Sequence, residues 1–275
     1  MYQSPFISIC IPTYNQTIHL RKLLNSVFNQ KDVSFEVIVS DDSSMDDVSN
    51  LIKEFSSQGK EIRYYKNCPS LGAPKNWNFC MSQAKGDYIK IMHHDEWFEN
   101  DYALMKLLNI LLVNKETFVF SAASKENNTG NSEFRISQNN LEIIKNEPEN
   151  LILANLIGGP SAIMYHKDAN IQFDENIIWL VDVEFYLQLF RKGYSVAYLD
   201  EILYTSMIDA DSLTNDNLIN SEKQLSEYSF LYNKYVKKLS FSKRLKYIIG
   251  IYKILILPLK KKYYFIQFVR FLKRI

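Results

Sequence analysis

Hydrophobic and polar positions follow two alternating periods along the first half of the chain. Residues 6–11 form a short apolar run with a β-branched bias that ends at Pro12, the pattern of a buried strand. Ile18, Leu20, Leu23, Leu24, Val27 and Phe28 then recur at helical spacing over residues 17–28, with Thr17 or Asn15 placed to cap the helix. The alternation continues with a strand over 35–39, a helix over 46–55, a strand over 62–65 and a helix over 74–84. A strand over 88–92, a helix over 101–113 and a strand over 118–122 complete it. Strands that alternate with helices of about a dozen residues through short connections predict an α/β fold with a parallel sheet covered on both faces.

The second half is less regular. Residues 124–150 turn polar and lose their period, which predicts a long loop or irregular hairpin region. A strand over 161–165 follows Gly158-Gly159-Pro160, and a helix over 181–191 is stopped by Gly193. Strands over 195–199 and 202–207 and a helix over 217–237 precede a basic, aromatic-rich tail.

Composition supports a packed globular protein: 47% of the 275 residues are hydrophobic, with 18 Tyr and 17 Phe against 8 Gly and 7 Pro. The three cysteines, Cys10, Cys68 and Cys80, have no metal-ligand spacing, and Cys10 reads as a buried structural thiol. A scattered, odd set of cysteines fits a reducing compartment, and the first residues show no signal peptide pattern. No apolar stretch reaches the roughly 20 residues that span a bilayer. The net charge of +1 conceals an asymmetry. No acidic residue follows Glu227, while 13 of the 32 Lys and Arg lie beyond it, so residues 1–227 carry about −12 and the remainder about +13.

Candidate chemistry falls at the C-terminal ends of successive strands: Pro12-Thr13-Tyr14-Asn15, Ser40-Asp41-Asp42-Ser43-Ser44 and His93-His94-Asp95-Glu96. Each alone reads equally as turn and cap residues, but that edge of an open α/β sheet is where ligands bind. Imidazole and carboxylate donors together suit a divalent cation, and a cation suits phosphates. No glycine-rich phosphate loop is present, so phosphates would depend on a metal and on side chains.

These motifs resemble those of the family 2 glycosyltransferases, which have the GT-A fold. Ile11-Pro12-Thr13-Tyr14-Asn15 is similar to the family's opening, and Ser40-Asp41-Asp42-Ser43-Ser44 to its second motif. Gly72, Asn76-Trp77-Asn78 and Gly86-Asp87-Tyr88-Ile89 resemble the lead-in to its metal-binding DxD motif, whose place His93-His94-Asp95 takes here. Phe173-Asp174-Glu175, residues 182–187 and residues 192–201 resemble its acceptor-side segment, so the resemblance covers residues 5–215.

The resemblance implies a GT-A domain over 1–215, with a nucleotide-binding half over 1–115 and an acceptor-side half over 116–215. A helical, basic amphipathic extension over 216–275 would follow. It implies an inverting transfer of a sugar from a nucleotide-diphosphate sugar, a UDP-sugar by preference, to a hydroxyl of a glycan or lipid-linked acceptor in bacterial surface polysaccharide or lipooligosaccharide synthesis. Pro12, Tyr14 and Asp42 would surround the base, Asp41 would support the loop, and Asn76 would reach the nucleotide or serve the start of its helix. Asp95 would bind Mn²⁺ or Mg²⁺ with Glu96 or His93 assisting, and His94 would be a spacer on the nucleotide side. His93 departs from the family's first Asp, which leaves its metal contact open. Asp182 would be the general base, with Glu184 as competitor because two residues on one helix point apart. Asp209 occupies a place where relatives carry a His, either as a diphosphate or metal contact or as a solvated loop residue.

Two other readings remain at this level. One is a non-catalytic relative that binds a nucleotide-sugar; the other is a metal phosphohydrolase built on His94-Asp95, a class that is all-helical. The basic tail over 241–275 interleaves Lys and Arg with aliphatic and aromatic residues. That content is high for a nucleic-acid surface and predicts contact with an anionic membrane, or packing on the core. The expected location is cytoplasmic and peripheral at the inner face of the cell membrane.

Overall fold

The computed structural model describes residues 6–127, 130–207 and 221–255, together with 269, 272 and 273. The first half runs β1 (Phe6–Thr13), α1 (Ile18–Phe28), β2 (Ser34–Asp41), α2 (Asp47–Ser57), β3 (Arg63–Lys66), α3 (Ala73–Ser82), β4 (Tyr88–Ile91), β5 (Glu96–Phe98) and α4 (Ala103–Val113). The second half adds β6 (Thr117–Asn127), β7 (Gly130–Phe134), α5 (Gln138–Asn146), β8 (Ile163–His166), α6 (Val181–Arg191) and β9 (Ser195–Met207). Helix α7 (Ser221–Leu231) passes through a π-helical turn (Tyr232–Val236) toward α8 (Phe241–Leu255).

One sheet unites all nine strands in the order β3-β2-β1-β4-β8-β6-β9-β5, with β7 paired to β6. The pairs β3–β2, β2–β1 and β1–β4 are parallel, as the alternating pattern predicts. Beyond β4 the sheet is mixed: β8 is antiparallel to both neighbours, and β6 and β9 are parallel again. Strand β1 is buried on both faces. Ile7, Ile9 and Ile11 pack on the side of α1, α2 and α4, while Cys10 faces the side of α3 and α6. Each of those isoleucines is fully buried, and such burial is worth about 1.5–3 kcal/mol per side chain.

The close pairing of β1 and β4 explains Gly86. A Cβ at that position would lie 2.6 Å from the Phe6 carbonyl oxygen and 2.8 Å from the Ser8 nitrogen. Cys10 is buried as expected, and all three cysteines are free thiols.

Several local expectations change. Neither Thr17 nor Asn15 caps α1 with its side chain. Asn15 takes a left-handed conformation (φ 52°) and donates its N–H to Ser43 Oγ at 2.7 Å. The polar stretch after Ser124 holds the hairpin of β6 and β7, but also the helix α5, whose Ser137 cap accepts the Asn140 N–H. The two strands expected over 195–207 are one strand, β9, in which a register irregularity opposite Ser121–Ala123 absorbs the polar Asp200-Glu201 pair. The strand β5 was not expected. It is three residues long and exists through pairing with β9, a partner far along the chain.

Candidate active site

The turn between β4 and β5 carries His93, His94 and Asp95, and its hydrogen bond from Glu96 N–H to the His93 carbonyl measures 3.1 Å. One ligand atom from each of His93, Asp95 and Glu96 lies within 4.8 Å of the others, so the three can share one cation. The His93 backbone N–H is shared between Glu96 Oε2 and Ser161 Oγ, both at 3.0 Å. Its ring packs on Trp77, centroids 4.7 Å apart, and Trp77 stands edge-on to Phe173. Burial pushes the His93 imidazole down to about 4, so it is neutral at pH 7. Its Nε2 is buried without a hydrogen-bond partner among the described residues. A neutral imidazole with an unmet nitrogen beside two carboxylates fits a divalent cation.

A buried lysine lies beneath this turn. Lys90, 1% exposed in the centre of β4, donates to the Ser161 carbonyl and lies over the rings of Phe98 and Tyr204. Burial pushes the Lys90 ammonium down and the Glu96 carboxyl up, and their mutual attraction opposes both shifts.

Asp182 lies in the first turn of α6, half-buried, and burial pushes its carboxyl up to about 7. The Asp182 and Glu96 carboxylates both act on the phenols of Tyr186 and Tyr204, whose ionisation is pushed further up by them after burial itself. Those two phenols therefore connect the base candidate with the cation cluster. Tyr186 Oη donates to the Gly158 and Gly159 carbonyls at 3.0 and 2.7 Å, which ties α6 to the loop that carries Ser161. Gly158 has a positive φ (107°), and a Cβ there would meet Tyr204 Oη at 3.3 Å.

Glu184, the competing base, is removed from the site. It is fully buried, accepts from Tyr235 Oη and Gln188 Nε2 at 2.6 Å, and pairs with Lys234 at 2.7 Å. The segment entering α6 is held by Glu227 of α7, whose carboxylate accepts the N–H groups of Ile178, Trp179 and Leu180 at 2.9, 2.9 and 2.8 Å.

The residues expected on the nucleotide side form a network of their own. Asp41 is fully buried and accepts from Ser43 N–H, Tyr64 Oη and Lys66 Nζ, the loop-supporting role expected of it. Asp42 accepts from Asn67 Nδ2 at 2.7 Å and from the backbone N–H groups of Leu71 and Gly72, so it also shapes the 67–72 turn. Asn76 is closed within the protein, bonded to Ser40 Oγ, Asn67 Nδ2 and the Ser40 carbonyl. Those bonds tie the first turn of α3 to the end of β2. Pro12 is buried at the end of β1, while Tyr14 is 56% exposed beside it. His94 is half-buried in the turn, and Asp209 lies outside the described residues.

Sequence reasoning missed Ser161, Tyr186, Tyr204, Lys90 and Glu227. Only Lys90 left a local signal, a charge in the middle of an apolar strand. The phosphohydrolase reading fails on the fold, because His94-Asp95 lies in a strand-to-strand turn and not in an all-helical setting.

A sheet of this order, with an acidic cation cluster after β4 and a carboxylate at the start of α6, defines a GT-A fold. The chain aligns with the structure of S. aureus TarS 1-349 in complex with UDP-GlcNAc over 97% of its own length and 79% of that chain. The TM-score is 0.72 at 18% identity. Residues 8–173 match the family described as Glycosyl transferase family 2. The protein belongs to this family. An uncharacterized Mycobacterium tuberculosis protein is 30% identical over 204 residues, covering 69% of this chain and 63% of that relative. The GalNAc(5)-diNAcBac-PP-undecaprenol beta-1,3-glucosyltransferase of Campylobacter jejuni is 31% identical over 93 residues, 34% of this chain and 30% of that enzyme. The matches thus span less than two thirds of either curated relative.

Proposed function

We propose that the protein transfers a sugar, with inversion, from a nucleoside diphosphate sugar to a hydroxyl group of a glycan or lipid-linked glycan. What supports this reading is the gathering of His93, Asp95 and Glu96 after β4, together with Asp182 in the first turn of α6, a helix whose Tyr186 bonds the loop that carries Ser161, the partner of the His93 N–H. Burial raises the Asp182 carboxyl to about 7.

The roles follow from the chemistry. Asp182 accepts the proton of the acceptor hydroxyl as its oxygen forms a bond to C1, while the bond from C1 to the diphosphate oxygen breaks and its electron pair leaves with the diphosphate. Positive charge on the ring in the transition state is favoured by a carboxylate on that face. His93, Asp95 and Glu96 would hold a divalent cation, Mn²⁺ or Mg²⁺, whose charge offsets that of the departing diphosphate. Tyr14, Pro12 and the 67–72 turn held by Asp42 supply the nucleotide side. The TarS complex contains UDP-GlcNAc, which supports a uridine nucleotide as the first donor class to test. The Campylobacter relative's name supports a polyprenol-linked acceptor, and the low-redox cysteine pattern a cytoplasmic site.

The test is a screen of nucleotide-sugars for Mn²⁺-dependent thermal stabilisation, followed by transfer assays with the donor that stabilises. A binding donor whose sugar is transferred by the wild type but not by Asp182→Asn supports the reading. Stabilisation without any transfer would favour a non-catalytic nucleotide-sugar binder.

A further inference from the structure

Helix α8 is apolar on the face it turns to solvent. Phe241, Leu245 and Ile249 recur at four-residue spacing and are 72%, 45% and 45% exposed. The opposite face is already docked: Tyr247 and Ile251 lie in the core, and a Cβ on Gly250 would come within 2.7 Å of the Leu153 side chain. Lys243 and Lys246 reach Glu147 at 3.1 and 2.8 Å and hold its carboxyl down to about 2, which fixes the roll of the helix. The stripe is therefore a second apolar face on a helix that has already buried its first.

Charge identifies what meets that face. Lys253 is exposed on α8, and Lys237 and Lys238 are exposed just before it. The chain beyond Glu227 has 13 basic residues and no acidic one. A second copy of this region, or residues 256–275 with Lys260, Lys261, Lys262, Arg270, Lys273 and Arg274, would bring like charge against like. A polyanion in water would match the lysines but leave the apolar stripe uncovered. An apolar strip bordered by cations matches the boundary between anionic headgroups and acyl chains.

We propose that the outer face of α8 docks on an anionic lipid bilayer. Phe241, Leu245 and Ile249 enter the headgroup–acyl boundary, and the flanking lysines pair with lipid phosphates. The docking requires neither donor nor catalysis, so it stands apart from the transfer reaction.

The test is sedimentation of the full chain with vesicles of phosphatidylcholine alone and of phosphatidylcholine with roughly 30% phosphatidylglycerol. The wild type is expected to sediment with the anionic vesicles and to be released as salt is raised. The triple variant Phe241→Ser, Leu245→Ser, Ile249→Ser is expected to lose at least about tenfold in partitioning, with an unchanged melting temperature because these side chains are exposed. Full partitioning by the triple variant would overturn the proposal, as would absence of wild-type binding to anionic vesicles. Self-association in vesicle-free solution that the same substitutions abolish would assign the stripe to a second copy instead, and so overturn it too.

Discussion

Asp182 and Glu184 sit two residues apart on α6 and belong to different parts of the molecule. Asp182 is half-buried in the first turn, its carboxyl raised to about 7 by burial, while Glu184 is fully buried against Tyr235, Gln188 and Lys234. A helix separates the two by some 200°, so one register turns Glu184 into the protein to anchor and leaves Asp182 as the carboxylate proposed to react.

Substitution separates the two roles. Asp182→Asn is expected to lower the transfer rate by about 10²–10⁴ without lowering the melting temperature. Glu184→Gln is expected to cost about 1–3 kcal/mol of stability, since it removes the more deeply buried of the two carboxylates that pair with Lys234, and to affect rate only through fold loss. Initial rates and thermal melts on both variants check the pair.

The pH dependence of stability carries the same assignment. The Asp182 carboxyl is raised from its ordinary 3.8 to about 7, so between those values the folded state holds a proton that the unfolded chain has lost. Its contribution is complete below about pH 4 and falls as pH rises to about 7. Wild-type melting temperature should therefore decline relative to Asp182→Asn across that window and run parallel to it above. Parallel curves throughout would place the titration elsewhere.

The nitrogen donor of His93 bears on metal choice. Mg²⁺ prefers oxygen ligands, whereas Mn²⁺ and later transition ions accept imidazole. Thermal stabilisation by Mn²⁺ is expected to exceed that by Mg²⁺ in the wild type, and His93→Asp should narrow or reverse the difference. Calorimetric titration of each ion into both proteins measures it directly.

Glu227 is expected to act on catalysis through position. Glu227→Ala removes the acceptor for three backbone N–H groups just ahead of Asp182, at a cost of about 1–3 kcal/mol. The turnover number should fall while the Michaelis constant for the donor stays near its wild-type value, because the proposed donor side lies at β1, β2 and the 67–72 turn. An equal rise in that constant would place the effect in donor binding.

Much of this architecture was legible in the chain. The span of α6 and the alternation from β1 to α4 followed from the chain, because α1, α2 and α4 bury an apolar stripe and the strands between them are short apolar runs. Four possible ligands in a row at a strand end were visible in the chain, and the structure brings His93, Asp95 and Glu96 close enough to share an ion. What stayed hidden depends on distant partners. Strand β5 has too few residues for a period and is made by β9; Ser161 and Glu227 carry no local mark, since their roles arise from backbone groups 68 and 47–49 residues away. Asn76 was ambiguous because its amide suits a ligand as well as it suits Ser40 and Asn67.

The clamp on α6 bears on how the protein can be rebuilt. The family match ends at residue 173, yet the helix that carries Asp182 is held by Glu227, Lys234 and Tyr235, all well beyond it. A chimera that exchanges the chain at that boundary inherits Asp182 without the residues that hold its helix unless it takes the stretch through the π-helical turn as well. The smallest transplantable cassette is thus a discontinuous pair of segments, one bearing Asp182, the proposed base, and one that tells it where to stand.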